Sequence, residues 1–181
     1  MSFTSAQIAV LKATIAAQTD PTFVANRQAG ATNAMADFFN TPSTSVVWRS
    51  TTSGDALRNA ILWANMTPSQ PPDGTAVWTN KALYSQAKQI SLQTMVQGAQ
   101  LVASGVAGIR AGLQDCLTAL PTSSTGTNQA AGWAAVQVVM QRFATVAEAL
   151  FDSGTGTAQA PADLGWEGFV TGSDIVLALG S

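Results

Sequence analysis

The sequence predicts an all-α protein, a helical bundle of about five helices with short extended segments and an extended C-terminal arm. Apolar residues recur at helical spacing through most of the chain. Only SVVWRS, residues 45–50, combines β-branched and aromatic residues as a strand does. A length of 181 residues suits one domain with a real core. We assign residues 1–152 to the helical bundle and residues 153–181 to a C-terminal docking arm of the same domain.

The first helices are predicted from caps and from apolar spacing. Ser5 can cap a first helix. Its core face is Ile8, Leu11 and Ile15. Asp20 and Pro21 form a good N-cap and first-turn pair for a second helix, which Gly30 can break. A short helix is also predicted after SVVWRS.

The later helices are predicted from longer apolar stripes. A helix over residues 76–97 is expected to bury Leu83, Ala87, Ile90 and Met95. Another covers 106–119. One continuous helix is predicted from a stripe spaced 3, 4, 3, 4, 3, namely Trp133, Val136, Met140, Phe143, Ala147 and Leu150. A short terminal helix is expected near 173–179. By composition, the segments 66–74 and 121–128 are loops.

The scarcity of charge is the main anomaly of the composition. Only 10% of residues are charged, with a net charge of −2, against about 25% charged residues in an ordinary soluble domain. Partners that cover the surface would explain this, since interface cores are depleted of charge. The alternative is a monomer with an uncharged polar surface. No basic cluster indicates nucleic-acid binding, and no apolar run has the length of a membrane span.

Catalytic residue types are scarce. The chain has no histidine and one cysteine, Cys116. This excludes a Ser-His-Asp triad, a Cys-His pair, an imidazole metal site and an intrachain disulfide. The two glutamates, Glu148 and Glu167, follow no pattern that would bring them together. We therefore expect no enzyme activity, no cofactor and no metal.

Residues 105–116, GVAGIRAGLQDC, are rich in glycine but do not form a phosphate-binding motif. They lack the lysine and hydroxyl residue of a P-loop and the G-x-G-x-x-G spacing of a dinucleotide loop. Gly108 and Gly112 are four residues apart and share one helix face. Such a face allows close packing, either by another helix of this chain or by another subunit.

Ten residues are candidates for an interface. SVVWRS needs a pairing partner, within the chain or on a neighbouring subunit. The arm follows a Gly-Thr hinge at 154–157 and is densely apolar, so it must dock on the bundle or on a partner, and we favour the partner. The candidates are Trp48, Arg49, Gly108, Arg110, Gly112, Leu164, Trp166, Phe169, Ile175 and Leu177. For each tryptophan, a place in the core is the alternative.

Several phrases are distinctive as a set. They are VWRS at 47–50, MTPSQPPDGTAVWTNKAL at 66–83, IRAGLQD at 109–115 and AEALFDSGTGT at 147–157. Together they resemble a family of small proteins encoded among the head and head–tail genes of tailed bacteriophages and prophages. The similarity extends from about residue 23 to the end, and within that gene neighbourhood the size and helical content resemble most a head-to-tail adaptor.

The resemblance implies a structural virion protein that forms a homo-oligomeric ring between portal and tail. The arm would reach the portal protein, and the opposite face would receive a tail or nozzle protein. The chain would assemble in the host cytoplasm and remain at the head–tail junction. No catalytic or binding residues carry over from the family. Other virion roles stay open, namely tail terminator, cementing protein or tail protein, as does a small helical ligand-binding domain or enzyme that uses carboxylates and Arg110.

Overall fold

The structure is a computed structural model, which describes residues 3–67, 75–121 and 128–180. Most of the predicted loops at 66–74 and 121–128 therefore lies outside the described residues. Contacts between Cα atoms divide the chain into two compact units. The first unit comprises residues 1–47 and 143–181, and the second comprises residues 48–142.

The described residues form nine α-helices, one short 3-10 helix at Trp63–Met66 and six strands. The helices are α1 Ser5–Ala17, α2 Pro21–Gln28, α3 Thr32–Phe39, α4 Gly54–Ala60, α5 Ala76–Val96, α6 Ala107–Leu117, α7 Trp133–Val139, α8 Val146–Ala149 and α9 Gly172–Gly180. The strands are β1 Pro42–Trp48, β2 Thr52–Ser53, β3 Leu101–Val102, β4 Leu120–Pro121, β5 Asn128–Gln129 and β6 Gln141–Thr145. The strands pair as β1 with β6, β2 with β3, and β4 with β5.

The first two helices begin within one residue of their predicted caps. A capping box of Thr4 and Gln7 starts α1, one residue before the predicted cap. The Asp20 side chain accepts a hydrogen bond of 2.8 Å from the backbone N–H of Phe23 and so caps α2. Gly30, at φ +67°, separates α2 from α3 as predicted.

The core of the first unit lies where α9 packs against α1 and α3. Its buried residues are Ile8, Leu11, Ile15, Phe23, Met35, Ala36, Phe39, Ala147, Trp166, Val170, Ile175 and Ala178. The ring of Phe3 stacks on Trp166 with 4.4 Å between ring centroids. The N-terminal and C-terminal segments of the chain therefore share one core.

The core of the second unit lies between α5 and α6 and between α4 and α7. Its buried residues are Leu57, Ile61, Met66, Leu92, Val96, Val102, Leu113, Cys116, Leu117, Leu120, Ala131, Val136 and Met140. The antiparallel pair β2–β3 places Thr52 opposite Val102. The α4 helix follows β2 directly and is capped by Ser53.

The predicted extended segment SVVWRS is ordered by pairing within its own chain. It overlaps β1, which pairs with β6. The backbone N–H of Val46 donates to the carbonyl of Gly156 at 2.8 Å, and the N–H of Ala162 donates to the carbonyl of Val46 at 2.9 Å. The prediction of pairing is confirmed, and the described partners belong to the same chain.

The prediction of an all-α bundle of about five helices is wrong. Over the described residues, the protein is a mixed α and β structure with 57% helix and 12% strand. The predicted continuous helix over Trp133–Leu150 is instead α7, β6 and α8. A capping box of Thr145 and Glu148 starts α8 as a separate helix. Between the two helices, Phe143 is exposed and Ala144 is buried, as in a strand.

The predicted extended C-terminal arm is likewise corrected. In residues 153–180 the chain forms α9, and it buries Trp166, Val170 and Ile175 in the first unit's own core. Ala162 is buried against Val47 and Ala144. These buried residues dock on their own chain, whereas Phe169, Val176, Leu177 and Leu179 of the same segment are exposed.

Candidate functional site

The ten interface candidates fall into different environments. Trp166, Ile175 and Arg110 are buried. Arg49, Gly108, Phe169 and Leu177 are exposed, whereas Trp48, Gly112 and Leu164 are half-buried. A single surface made of all ten is therefore not formed, and the exposed candidates are the ones available to a partner.

Arg110 holds together the segment that precedes its helix. Its guanidinium carbon lies 4.6 Å from the centroid of the Trp48 ring, which is a cation–π distance. The same guanidinium donates to the carbonyls of Ser104 at 3.0 Å and Gly105 at 2.8 Å. These contacts give Arg110 and Trp48 a structural role within the second unit.

The glycine face of α6 is only partly used for packing. A Cβ placed at Gly112 would lie 3.4 Å from the sulfur of Met95 on α5. A Cβ placed at Gly108 would meet no atom within 4 Å in the described structure. The close approach predicted at both glycines is therefore not formed at Gly108.

Replacing Gly108 by alanine is expected to raise the free energy of unfolding by up to about 1 kcal/mol, because alanine favours helix and the position is open. Gly54→Ala is the matched control, since its Cβ would lie 2.0 Å from the carbonyl oxygen of Ala99 and should destabilise the fold. Urea unfolding of both variants provides the measurement. Equal effects on stability would contradict the difference in packing.

The exposed side of α5 is the most extensive uncharged helix surface in the described structure. The predicted burial of Leu83 and Ile90 is wrong, since they are 57% and 56% exposed. No exposed position of α5 carries a charge. We call this surface the α5 face, which comprises Ala76, Val77, Thr79, Asn80, Leu83, Tyr84, Gln86, Ala87, Ile90, Ser91, Gln93 and Thr94.

The buried side of α5 explains which of its residues are directed to the core. Its buried residues are Trp78, Ser85, Lys88, Leu92 and Val96. The Lys88 ammonium donates to the carbonyls of Asp115 and Thr118, the latter at 2.9 Å, where α6 ends. A cation at a helix C-terminus is stabilising. One of the two lysines of α5 is thus buried in the fold instead of exposed on the surface.

Cys116 lines a cleft of about 360 Å³ between α5 and α6, together with Tyr84, Lys88 and Gly112. Burial raises the pKa of the Cys116 thiol, the Asp115 carboxylate raises it further, and Lys88 opposes them. A thiol with a raised pKa stays protonated near neutral pH and is a poor nucleophile. The cleft therefore does not present an activated cysteine.

A second apolar surface lies in the first unit, between α1 and α9. A groove of about 480 Å³ is lined there by Phe3, Ser5, Ile8, Ala9, Lys12 and Leu177. Of these six residues, Lys12 alone is charged. On α9, Val176, Leu177 and Leu179 are exposed. We call this surface the α1–α9 groove, and of the ten predicted candidates it includes only Leu177.

Sequence reasoning missed the α5 face and most of the α1–α9 groove. The signal available for the α5 face was the absence of charge from one side of a 21-residue helix, which is unusual for a surface in contact with water. For the groove the signal was α1, whose only charged residue is Lys12. Both helices were predicted, but Leu83, Ala87 and Ile90 of α5 were assigned to the core, and only the buried side of α1 was considered.

The described residues offer little for catalysis. No group of three or more cysteine, aspartate or glutamate side chains lies where it could hold a metal ion within residues 3–67, 75–121 and 128–180. Glu148 is buried, and its carboxylate accepts a 2.9 Å hydrogen bond from the backbone N–H of Thr145. Among the helices that the structure describes, none has the length and apolar character needed to cross a bilayer.

No protein-family model matches the sequence, and no match was found among curated proteins or among solved structures. The resemblance to phage head–tail proteins therefore stays a prediction that depends on the residues quoted for it.

Proposed function

We propose that the chain is a structural virion protein that works by contact, as a head-to-tail adaptor in a homo-oligomeric ring between portal and tail. The observation that carries the proposal is the α5 face, on a helix about 31 Å long in which no exposed residue is charged and Lys81 is half-buried. Depletion of charge is typical of the core of protein–protein interfaces.

The composition supports the same function. The chain has 10% charged residues, too few for the mixed charged surface that normally keeps a free domain soluble. Leu83 and Ile90 on α5 and Val176 and Leu177 on α9 are large side chains more than half exposed. An assembled subunit would cover such residues with its neighbours.

A ring requires two different contact surfaces on each subunit, one for each neighbour. The chain offers the α5 face in one unit and the α1–α9 groove in the other. In this proposal the residues after 152 contribute through the exposed side of α9, while their buried side stabilises the subunit.

Labelling the protein within phage particles tests the proposed function. A gold-tagged chain is expected at one vertex of each particle, where head meets tail, when particles are imaged by electron microscopy. Label distributed over the whole capsid would indicate a cementing protein, and label along the tail would indicate a tail component. Either distribution, or particles without label, would contradict the adaptor.

A second candidate function is a helical ligand-binding domain. The α1–α9 groove favours it, because about 480 Å³ lies within the usual range of ligand sites and its walls are apolar with one cation, Lys12. Such a site would suit an apolar carboxylate. A strictly monomeric chain that binds dodecanoate, and loses that binding in Lys12→Gln, would favour this function over the adaptor.

A further inference from the structure

We propose that the α5 face of one copy of this chain docks in the α1–α9 groove of a second copy. The contact joins two different surfaces, so every bound copy keeps one free surface of each kind. Such head-to-tail contacts build rings where the rotation closes. The contact's place in a ring rests on the proposed function, whereas the contact itself can be tested with the purified chain.

The shapes of the two surfaces match. On α5, Leu83, Ala87, Ile90 and Thr94 follow one another at i, i+4, i+7 and i+11, which forms a convex ridge. The groove lies between two helices, and small Ala9 in its wall lets another backbone approach. A helix ridge packed into a groove between helices is the usual geometry of helix packing.

The charges of the two surfaces are compatible. Lys12 is the one charged side chain among the described residues that line the groove, and no exposed residue of α5 is a cation that would repel it. The amide oxygens of Gln86 and Gln93 and the hydroxyl of Thr94 can accept hydrogen bonds from its ammonium. A basic partner would be repelled by Lys12, and an acidic one would find no second cation among the lining residues.

A second copy fits better than the alternatives because one chain supplies both surfaces in equal number. Pairing of two α5 faces with each other would cover Leu83 and Ile90, but it would leave the groove open and would stop at a dimer. Docking of the α5 face in the groove covers Leu83, Ile90 and Leu177 in a single contact.

Two variants test the contact. In Leu83→Lys/Ile90→Lys the α5 face is disrupted, and in Ala9→Lys/Leu177→Lys the groove is disrupted. Both variants gain positive charge, so mixing them adds no attraction.

The native chain is expected to associate with increasing concentration in sedimentation experiments, and each variant is expected to associate at least about 100-fold more weakly. An equal mixture of the variants should form a 1:1 dimer and nothing larger, because only one intact pair of surfaces remains.

The matched control is Leu101→Lys/Val138→Lys, which changes two side chains at least as exposed, at 64% and 68%. It is expected to associate as the native chain does. Circular dichroism checks that every variant is folded. A second measurement avoids added charge: Ile90→Cys/Leu177→Cys should form disulfide-linked multimers on oxidation, while Val138→Cys/Leu177→Cys should not.

Several outcomes would overturn the contact. They are a native chain that stays monomeric to about 1 mM, variants that associate like the native chain, and monomeric variants that do not combine when mixed. Association of the groove variant like that of the native chain, with only the α5 variant monomeric, would instead indicate pairing between two α5 faces. Failure of the adaptor function can be distinguished from failure of the contact. Variants that combine as expected support the contact, whereas gold label away from the head–tail vertex contradicts only the adaptor.

Discussion

Replacing Ile175 by alanine is expected to lower the free energy of unfolding of the first unit by about 2–5 kcal/mol. Ile175 has no exposed surface, and it lies on α9, which packs against both α1 and α3. Removing three of its carbon atoms would leave a cavity between elements from opposite ends of the chain. Hydrogen exchange followed by mass spectrometry measures the effect for each unit separately, since peptides from residues 3–47 report on the first unit.

The neighbouring residue provides the control. Val176 is 57% exposed on the same helix, so Val176→Ala should change stability by less than about 0.5 kcal/mol. If Ile175→Ala left exchange in α1 and α3 unchanged, α9 would not be part of their core. Such a result would restore the earlier expectation of an arm that docks on a partner.

The bounds of α5 were predicted to within one residue, but the side of the helix assigned to the core is the exposed side. Two stripes share helical spacing, one with Leu83 and Ile90 and one with Leu92 and Val96. The stripe that is buried also contains Ser85 and Lys88. These polar residues can be buried because each has hydrogen-bond acceptors, which are distant in sequence. Ser85 donates to the Met66 carbonyl, and Lys88 donates to two carbonyls at the end of α6. The periodicity of apolar residues alone does not identify those partners.

The apolar stripe of residues 133–150 does not form one helix, and the local reason is visible in the sequence. The four residues 145–148, TVAE, match the S/T-x-x-E capping box, which starts a new helix and therefore ends any earlier one. The strand that pairs with this segment cannot be identified from the local sequence. The strand β6 pairs with β1, nearly 100 residues earlier in the chain, and strand formation depends on such neighbours more than on intrinsic preference.

The two candidate surfaces differ in the same way. One can be predicted from the local sequence, and the other depends on contacts between residues distant in sequence. The uncharged positions of α5 are visible in the sequence once the helix is known. The groove beside α1 exists only because α9 returns to pack there. The terminal helix was predicted near its observed bounds, but its place in the first unit depends on contacts with residues more than 100 positions earlier.

One of those distant contacts leads to a second large effect. The side chain of Asn40 forms two hydrogen bonds with the backbone of Val170, just before α9. Its Nδ2 donates to the Val170 carbonyl at 2.8 Å, and its Oδ1 accepts from the Val170 N–H at 2.9 Å. Val170 is fully buried, so neither backbone group has easy access to water as an alternative partner.

Asn40→Asp is expected to lower the free energy of unfolding of the first unit by roughly 2–4 kcal/mol near neutral pH. The change keeps the size and the acceptor but replaces the donor by a carboxylate oxygen, which then faces the Val170 carbonyl. Hydrogen exchange in α3 and α9 measures the loss. The control is Asn26→Asp, which adds the same charge to α2 of the same unit, at a half-buried position, and should cost less than about 1 kcal/mol.

The direction of the pH dependence separates the lost donor from a general effect of charge. Below about pH 4 the introduced carboxyl becomes protonated, and its hydroxyl can again donate to the Val170 carbonyl. The difference in stability between Asn40→Asp and the native chain should therefore shrink on acidification and grow as the pH rises through the carboxyl range. A loss of stability that is the same at pH 3 and pH 7, or no loss at either, would contradict the role given to the Asn40 side chain in holding the segment before α9.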